Sequence, residues 1–378
     1  MKKVLFVATV VKTHIMVFHL PYIEWFKKNG FETHVCARND FENKEECIIP
    51  FCDQYYDMQF ERSPFKSGNL KAYHQLKIII DSNDYEIIHC HTPIGGVLTR
   101  LAAREARKKT TKVIYTAHGF HFFKGAPWHY WLIYYPVERW LARYTDVLIT
   151  INKEDYARAK SFKAKKVAYV SGVGVDTPKF TRSNDDRYMT RKEIGIPENA
   201  IVLLSVGELI RNKNQEVIIK ALGMLNHLKI IYVICGTGVL EDYLKGMANK
   251  LCVDVRFMGF RKDMARIYSA ADLFVISSFR EGLSVSLIEA MAAGLPVIGS
   301  KIRGNTDLVE EGKGGYLVPP LDIDGYAQFI NKLVSNKAMR ERMGNFNIEA
   351  VRKYDLAEVK NDLINIYQLL SDGSNSCD

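Results

Sequence analysis

The sequence predicts an α/β chain of two doubly wound domains. Short, continuous apolar runs alternate with longer amphipathic stretches, the pattern of parallel strands covered by helices on both faces. That alternation runs nearly twice along 378 residues, more than one ordinary core takes up. Between Val170 and Ala200 the chain turns polar and punctuated, through Ser171-Gly172-Val173-Gly174 and Arg182-Ser183-Asn184-Asp185-Asp186-Arg187, as a hinge does.

The first half offers strands at Val4–Val10, Thr33–Ala37, Ile87–His89, Val113–Tyr115, Val147–Ile151 and Val167–Val170. Between them lie helical patterns such as Val97–Lys108, where Leu98, Leu101, Ala102 and Ala106 share a face. The second half offers strands at Ile201–Val206, Ile230–Cys235, Val255–Met258, Leu273–Ile276, Pro296–Gly299 and Tyr316–Val318, with helices at Gln215–Leu225 and Val239–Leu251. The domains are therefore expected at 1–180 and 181–355. A closing segment, 356–378, is a helix over Leu356–Leu370 that returns to the first domain, followed by a polar tail, Ser371–Asp378. In doubly wound domains ligands gather at the carboxyl ends of the strands.

A hydrophobic share of 47% with 25% charged residues describes a globular chain rather than a disordered or membrane-spanning one. The apolar start, Val4–Val10, stops at Lys12 and His14 without a small-residue cleavage site, and is read as a buried strand rather than a signal peptide. Cysteines 36, 47, 52, 90, 235, 252 and 377 show no CxxC pair or metal-ligand spacing; scattered thiols suit a reducing compartment, the cytoplasm. Residues 1–180 hold 27 Lys and Arg against 18 Asp and Glu, so the whole net charge of +9 lies in that half. Such asymmetry points to an acidic partner, with a solvated basic face as the plainer alternative.

The sharpest constellation is Phe279-Arg280-Glu281-Gly282-Leu283-Ser284-Val285-Ser286-Leu287-Ile288-Glu289. It follows an apolar strand and opens a helix, with Ser286 and Glu289 at capping-box spacing. A helix start beside Gly282 offers backbone N–H groups and a positive dipole end to a diphosphate. Glu289 is placed to accept from ribose hydroxyls and Glu281 to meet a bound sugar; two solvated carboxylates on a strand–turn–helix are the plainer reading. Lys213 follows the strand Ile201–Val206 at another helix start; by itself such a lysine reads as a solvated surface group.

This stretch resembles the E-x7-E signature of retaining glycosyltransferase family 4, whose members have two facing Rossmann-like domains, the GT-B arrangement. The resemblance extends to Gly294-Leu295-Pro296, Arg303-Gly304-Asn305-Thr306, Val206-Gly207-Glu208-Leu209, Cys235-Gly236-Thr237-Gly238 and Gly259-Phe260-Arg261. In the first half it takes in His89-Cys90-His91-Thr92-Pro93 and Thr116-Ala117-His118-Gly119, so nearly the whole chain matches in order. It implies that Gly207, Arg211, Lys213, Gly236, Thr237, Gly238, Arg261, Glu281, Gly282, Leu283, Ser284 and Glu289 hold the donor nucleotide-diphosphate sugar. It also implies that His118, Lys213 and Glu281 serve catalysis, with His118 approaching the donor sugar. His14 and His91 fall on the acceptor side. Two positions depart from the family: Glu208 stands where an arginine is usual, with Arg211 the nearest substitute, and the loop at Thr9–His14 lacks paired glycines.

Ten aromatics lie between His118 and Tyr144, interleaved with Lys124, Arg139 and Arg143. Such a segment suits either a core helix or a membrane interface, with Trp128 and Trp131 at headgroup depth. It most resembles the family branch that builds bacterial capsule, exopolysaccharide or surface glycans on a polyprenyl-diphosphate carrier. The expectation is a retaining transferase with a UDP-sugar donor, a polyprenyl-diphosphate-linked sugar acceptor and an anionic membrane surface as partners, and no nucleic acid. No cofactor beyond the sugar nucleotide is expected, nor a catalytic metal, an expectation that rests on reading no Asp-x-Asp pair in the chain and on Lys213 taking the metal's role. A GT-B epimerase acting on a UDP-sugar, and a basic lipid- or nucleic-acid-binding protein without chemistry, are the competing readings.

Overall fold

The computed structural model describes residues 1–61, 63, 66–225 and 229–371. Cys377 and the polar tail beyond Ser371 lie outside that range. Two compact units result: Met1–Gly174 joined by the C-terminal helix from Val359 onward, and Val175–Glu358.

The first unit holds a parallel seven-stranded sheet of order β3-β2-β1-β4-β5-β6-β7. Its strands are β1 (Lys3–Val10), β2 (Glu32–Arg38), β3 (Gln54–Asp57), β4 (Tyr85–His91), β5 (Lys112–Ala117), β6 (Val147–Thr150) and β7 (Lys166–Tyr169). Strand alternation sorts the core: Leu5 and Val7 enter one apolar layer, Val4, Phe6 and Ala8 the other. Strand β3 escaped the sequence reading because it is a short edge strand with exposed ends. The helix expected over Val97–Lys108 is two helices, Pro93–Ala102 and Arg104–Lys109, divided at Ala103.

The second unit holds a parallel six-stranded sheet of order β10-β9-β8-β11-β12-β13. These are β8 (Ile201–Val206), β9 (Ile230–Cys235), β10 (Val255–Phe257), β11 (Leu273–Ile276), β12 (Val297–Ser300) and β13 (Gly315–Val318). Again neighbours face apart, with Leu203 in one layer and Val202 and Leu204 in the other.

The division at Gly174 falls ahead of the expected 180 for a local reason. Val175 pairs with Asp355, whose carboxylate accepts from the Thr177 hydroxyl at 2.6 Å, and Phe180 meets Tyr268 edge-on. Residues 175–180 are thereby tied to the second unit. The C-terminal helix, Leu356–Ser371, inserts Val359, Leu363 and Tyr367 into the first unit's core. Their four-residue spacing puts them on one helix face, and the Tyr367 hydroxyl lies 2.8 Å from His89 Nδ1.

One buried ion pair sits beneath helix Trp128–Leu141. The fully buried Arg100 places Nη1 2.9 Å from Glu138, its Nε donates to the Gly96 carbonyl, and its guanidinium covers the Tyr115 ring at 4.0 Å. Glu138→Ala strands that cation in an apolar shell and is expected to cost about 3–5 kcal/mol, read as a lower denaturation midpoint of the first unit. A loss below about 1 kcal/mol would mean that solvent reaches the pair.

Candidate active site

In the second unit the loops after β8 and β11 are laced together. The Asn212 side chain donates to the Arg280 carbonyl at 3.0 Å, and the Phe279 amide donates to the Asn212 carbonyl at 2.8 Å. The Ser277 hydroxyl donates to the Lys213 and Asn214 carbonyls. Asn214 takes the left-handed conformation, with φ of 52°, which asparagine tolerates better than most residues. The lacing brings Lys213 Nζ to 2.7 Å from Glu281 Oε1, with both side chains mostly covered. The two residues expected at the reacting end of the donor thus form one ion pair.

Glycine explains how a third loop joins them. A Cβ on Gly236, which has φ of 144°, would stand 2.0 Å from the Gly207 carbonyl oxygen, and one on Gly238 would stand 2.5 Å from that of Leu209. Only bare backbone permits this approach, and it is fastened by the Gly207 amide on the Cys235 carbonyl and the Leu209 amide on the Thr237 carbonyl.

Helix Val285–Ala292 starts one residue pair earlier than its capping-box pattern suggested. Ser284, not Ser286, is the N-cap, accepting from the Leu287 amide. Glu289 consequently sits inside the helix, where it accepts a 2.9 Å hydrogen bond from the Tyr268 hydroxyl. Burial holds its carboxyl above the usual range, an effect partly offset by that hydrogen bond and by Lys179. Gly282 and Leu283 line the turn before the helix, where the Gly304 backbone packs closely against Gly282 and Arg303 Nε donates to the Glu281 carbonyl at 3.3 Å.

Arg261 is less available than its sequence position suggested. Its guanidinium is held by Asp263 at 2.6 Å and Glu193 at 3.2 Å, on the wall of a cavity of about 850 Å³ shared with Lys245, Arg256 and Phe257. Glu208 and Arg211 are both exposed. The sequence does contain one Asp-x-Asp triplet, Asp322-Ile323-Asp324. Asp322 serves there as a helix N-cap, accepting from the Gly325 amide at 2.9 Å.

In the first unit the turn after β1 is a five-residue π-type turn, Val11–Ile15, in place of a glycine turn. Asp40 pins it, accepting from the Lys12 amide at 2.6 Å and from Thr13. His14 and Thr13 then line a cavity of about 400 Å³ with Thr9, Thr92, His121 and Tyr134. Thr92 has φ of 64° and ψ of 152°, a strained state of the kind that collects at functional sites. Its hydroxyl lies 2.6 Å from that of Thr9.

His91 was expected to line this region, but it is buried between Phe6, His89, His19 and His118. His118 is half-buried, with Nε2 3.4 Å from His91 Nδ1. Burial pushes the His118 pKa down to about 4, while burial and the nearby His118 push that of His14 down to about 3, so both rings are neutral at pH 7. Sequence reasoning missed His19, although it stands five residues after His14 at the entry to helix Leu20–Lys28, and Tyr268, which no local pattern marks.

Helix Trp128–Leu141 divides its residues between core and surface. Trp131, Tyr134 and Tyr135 pack on the first unit's core with Phe120 and Phe122, whereas Trp128, Leu132, Ile133, Val137 and Trp140 are exposed. Trp131, expected at a bilayer surface, is instead covered by Arg158 at 4.4 Å and packs on Phe122. Among the described residues no helix is long and apolar enough to cross a membrane.

Comparison with known proteins bears on both units. Residues 3–152 match the family described as glycosyl transferase 4-like, and residues 186–350 match glycosyl transferases group 1. EpsD of Bacillus subtilis, named as a glycosyltransferase, is 40% identical over 98% of this chain and 97% of its own. The UDP-Gal:alpha-D-GlcNAc-diphosphoundecaprenol alpha-1,3-galactosyltransferase of Escherichia coli is 28% identical over 79% of each chain. Among solved structures, Anabaena HepE in complex with UDP-glucose superposes with a TM-score of 0.78 at 19% identity, covering 97% of this chain and 100% of that one.

Proposed function

The chain belongs to glycosyltransferase family 4, and from that premise we propose that it moves a sugar from a UDP-sugar to a polyprenyl-diphosphate-linked sugar, with retention, in bacterial exopolysaccharide or surface-glycan synthesis. The observation that carries this reading is the Lys213–Glu281 pair, set beside the start of helix Val285–Ala292 and the buried Glu289. The UDP-glucose bound by HepE and the diphosphoundecaprenol acceptor in the Escherichia coli relative's name support the two substrate classes.

In this mechanism Lys213 and the helix N-terminus take the diphosphate, Glu289 accepts from the ribose hydroxyls, and Glu281 meets the transferred sugar. The anomeric carbon–diphosphate bond breaks through an oxocarbenium-like state. The acceptor hydroxyl forms its bond on the same face, and a departing phosphate oxygen takes its proton. Stabilising charge on the leaving group is the term that usually weighs most. Lys213→Ala and Glu289→Ala are each expected to lower kcat/KM by about 100-fold or more in a folded protein. Near-normal transfer by either variant removes that residue from the site.

Lys213 also makes a bridging cation dispensable. Transfer of labelled sugar is expected to proceed without added magnesium or manganese; a reaction that starts only when either is supplied refutes this charge assignment.

The acceptor places the work at a membrane surface on the cytoplasmic side. Trp128, Leu132, Val137 and Trp140 are exposed apolar side chains of helix Trp128–Leu141, and Lys124, Arg139 and Arg143 are exposed cations in the same stretch of chain. Each cation near an anionic leaflet contributes about 1 kcal/mol, and the attraction fades with salt. The protein should therefore float with anionic vesicles at low salt, less at high salt and little with neutral ones. Wild-type protein that never floats with anionic vesicles would assign these residues to an ordinary solvated face.

A further inference from the structure

We infer that His14, His19, His91 and His118 bind a divalent transition-metal ion of the zinc class within the first unit. The four rings come from separate places in the chain: the turn after β1, the entry to helix Leu20–Lys28, the end of β4 and the residue after β5. They converge so that one ring nitrogen from each lies within 4.8 Å of the other three. His19 and His91 stack with ring centroids 3.8 Å apart, and His14 meets His118 edge-on at 5.0 Å.

The hydrogen-bond ledger separates these rings from the protein's structural histidines. His34 and His89 are also buried, and each has both nitrogens satisfied: His34 by Tyr85 and Glu32, His89 by Tyr367 and Thr116. The Nε2 atoms of His14, His19 and His91 are buried with no hydrogen-bond partner among the described residues. Burying polar atoms without partners is costly, and native chains rarely leave several together. Hydrogen bonding within the cluster serves only the contact of His118 Nε2 with His91 Nδ1.

The donor set selects the ligand. Neutral imidazoles offer lone pairs, and a set with nitrogen but no carboxylate suits zinc, nickel or copper rather than magnesium or calcium. Tetrahedral ligation with metal–nitrogen bonds of about 2.0–2.1 Å needs nitrogens about 3.4 Å apart, so the four rings, whose nitrogens lie within 4.8 Å of one another, would close slightly around an ion. A bound ion would clamp the turn after β1 to the ends of β4 and β5. Coordination through Nε2 would leave the His118 Nδ1–H free to donate.

The test uses full-length protein without a polyhistidine tag, stripped with dipicolinate, reloaded with zinc or cobalt(II) and desalted. About one ion per chain should remain, the cobalt form should show the intense visible bands of tetrahedral nitrogen ligation, and zinc should raise Tm. His19→Gln and His91→Asn should lose the ion and the bands. Alanine at the exposed His74 and His129 should change neither. If the buried variants do not fold, the half-buried His14→Ala and His118→Ala carry the same comparison. The inference is overturned by no retained ion, by retention in folded cluster variants, by loss in the His74/His129 variant, or by inorganic pyrophosphate raising Tm where zinc does not. Metal content and spectrum are independent of sugar transfer, so they stand or fall apart from the proposed reaction.

Discussion

All strands within each sheet run parallel, and that constraint organises everything chemical in the protein. Parallel strands finish at one edge of their sheet, so the loops that follow them collect there. His14 follows β1, His91 ends β4 and His118 follows β5; Lys213 follows β8, Gly236 β9, Arg261 β10, Glu281 β11 and Arg303 β12. Residues far apart in sequence, such as Lys213 and Glu281, meet at 2.7 Å because β8 and β11 are sheet neighbours. The apolar layers on both sheet faces hold the strands in register and leave the loop ends to carry polar groups.

The two units use that edge in opposite electrostatic ways. The second unit assembles charge: an ammonium against a carboxylate, a helix start, and a carboxyl held above its usual range by burial. The first unit removes charge: burial drives its clustered imidazoles neutral, and Thr9 and Thr92, whose hydroxyls lie 2.6 Å apart, line the neighbouring cavity. Pre-placed charge suits a group whose negative charge grows during reaction. Neutral nitrogens and hydroxyls suit ligands recognised by lone pairs and hydrogen bonds.

The interior strands were legible because continuous apolar runs leave few alternatives, and β1, β8, β9 and β11 fall within a residue of their expected limits. Strand β3 was not, since an edge strand of four residues with exposed ends carries little apolar pattern. The donor-side pair was legible as two separate residues, but their contact depends on which strands are neighbours, which sequence spacing does not encode. Ser286 was preferred as a cap because its spacing to Glu289 fits the capping box; the backbone instead turns helical after Ser284, whose hydroxyl reaches the Leu287 amide. The resemblance supplied Arg261 with a partner, whereas the fold gives its guanidinium to Asp263 and Glu193.

The glutamate at position 208 alters the charge balance that the donor site must strike. An arginine there would meet a diphosphate directly, but Glu208 is exposed and acceptor-only, and Arg211 is exposed as well. The covered cation beside the helix start is Lys213, and Glu281 already neutralises it. Under the proposed function, a diphosphate would compete with that carboxylate for the ammonium. Separating the pair would cost the same whether the diphosphate is still bonded or already leaving, so in that reading the ammonium speeds the chemical step only by the attraction it gains as charge grows on the leaving group.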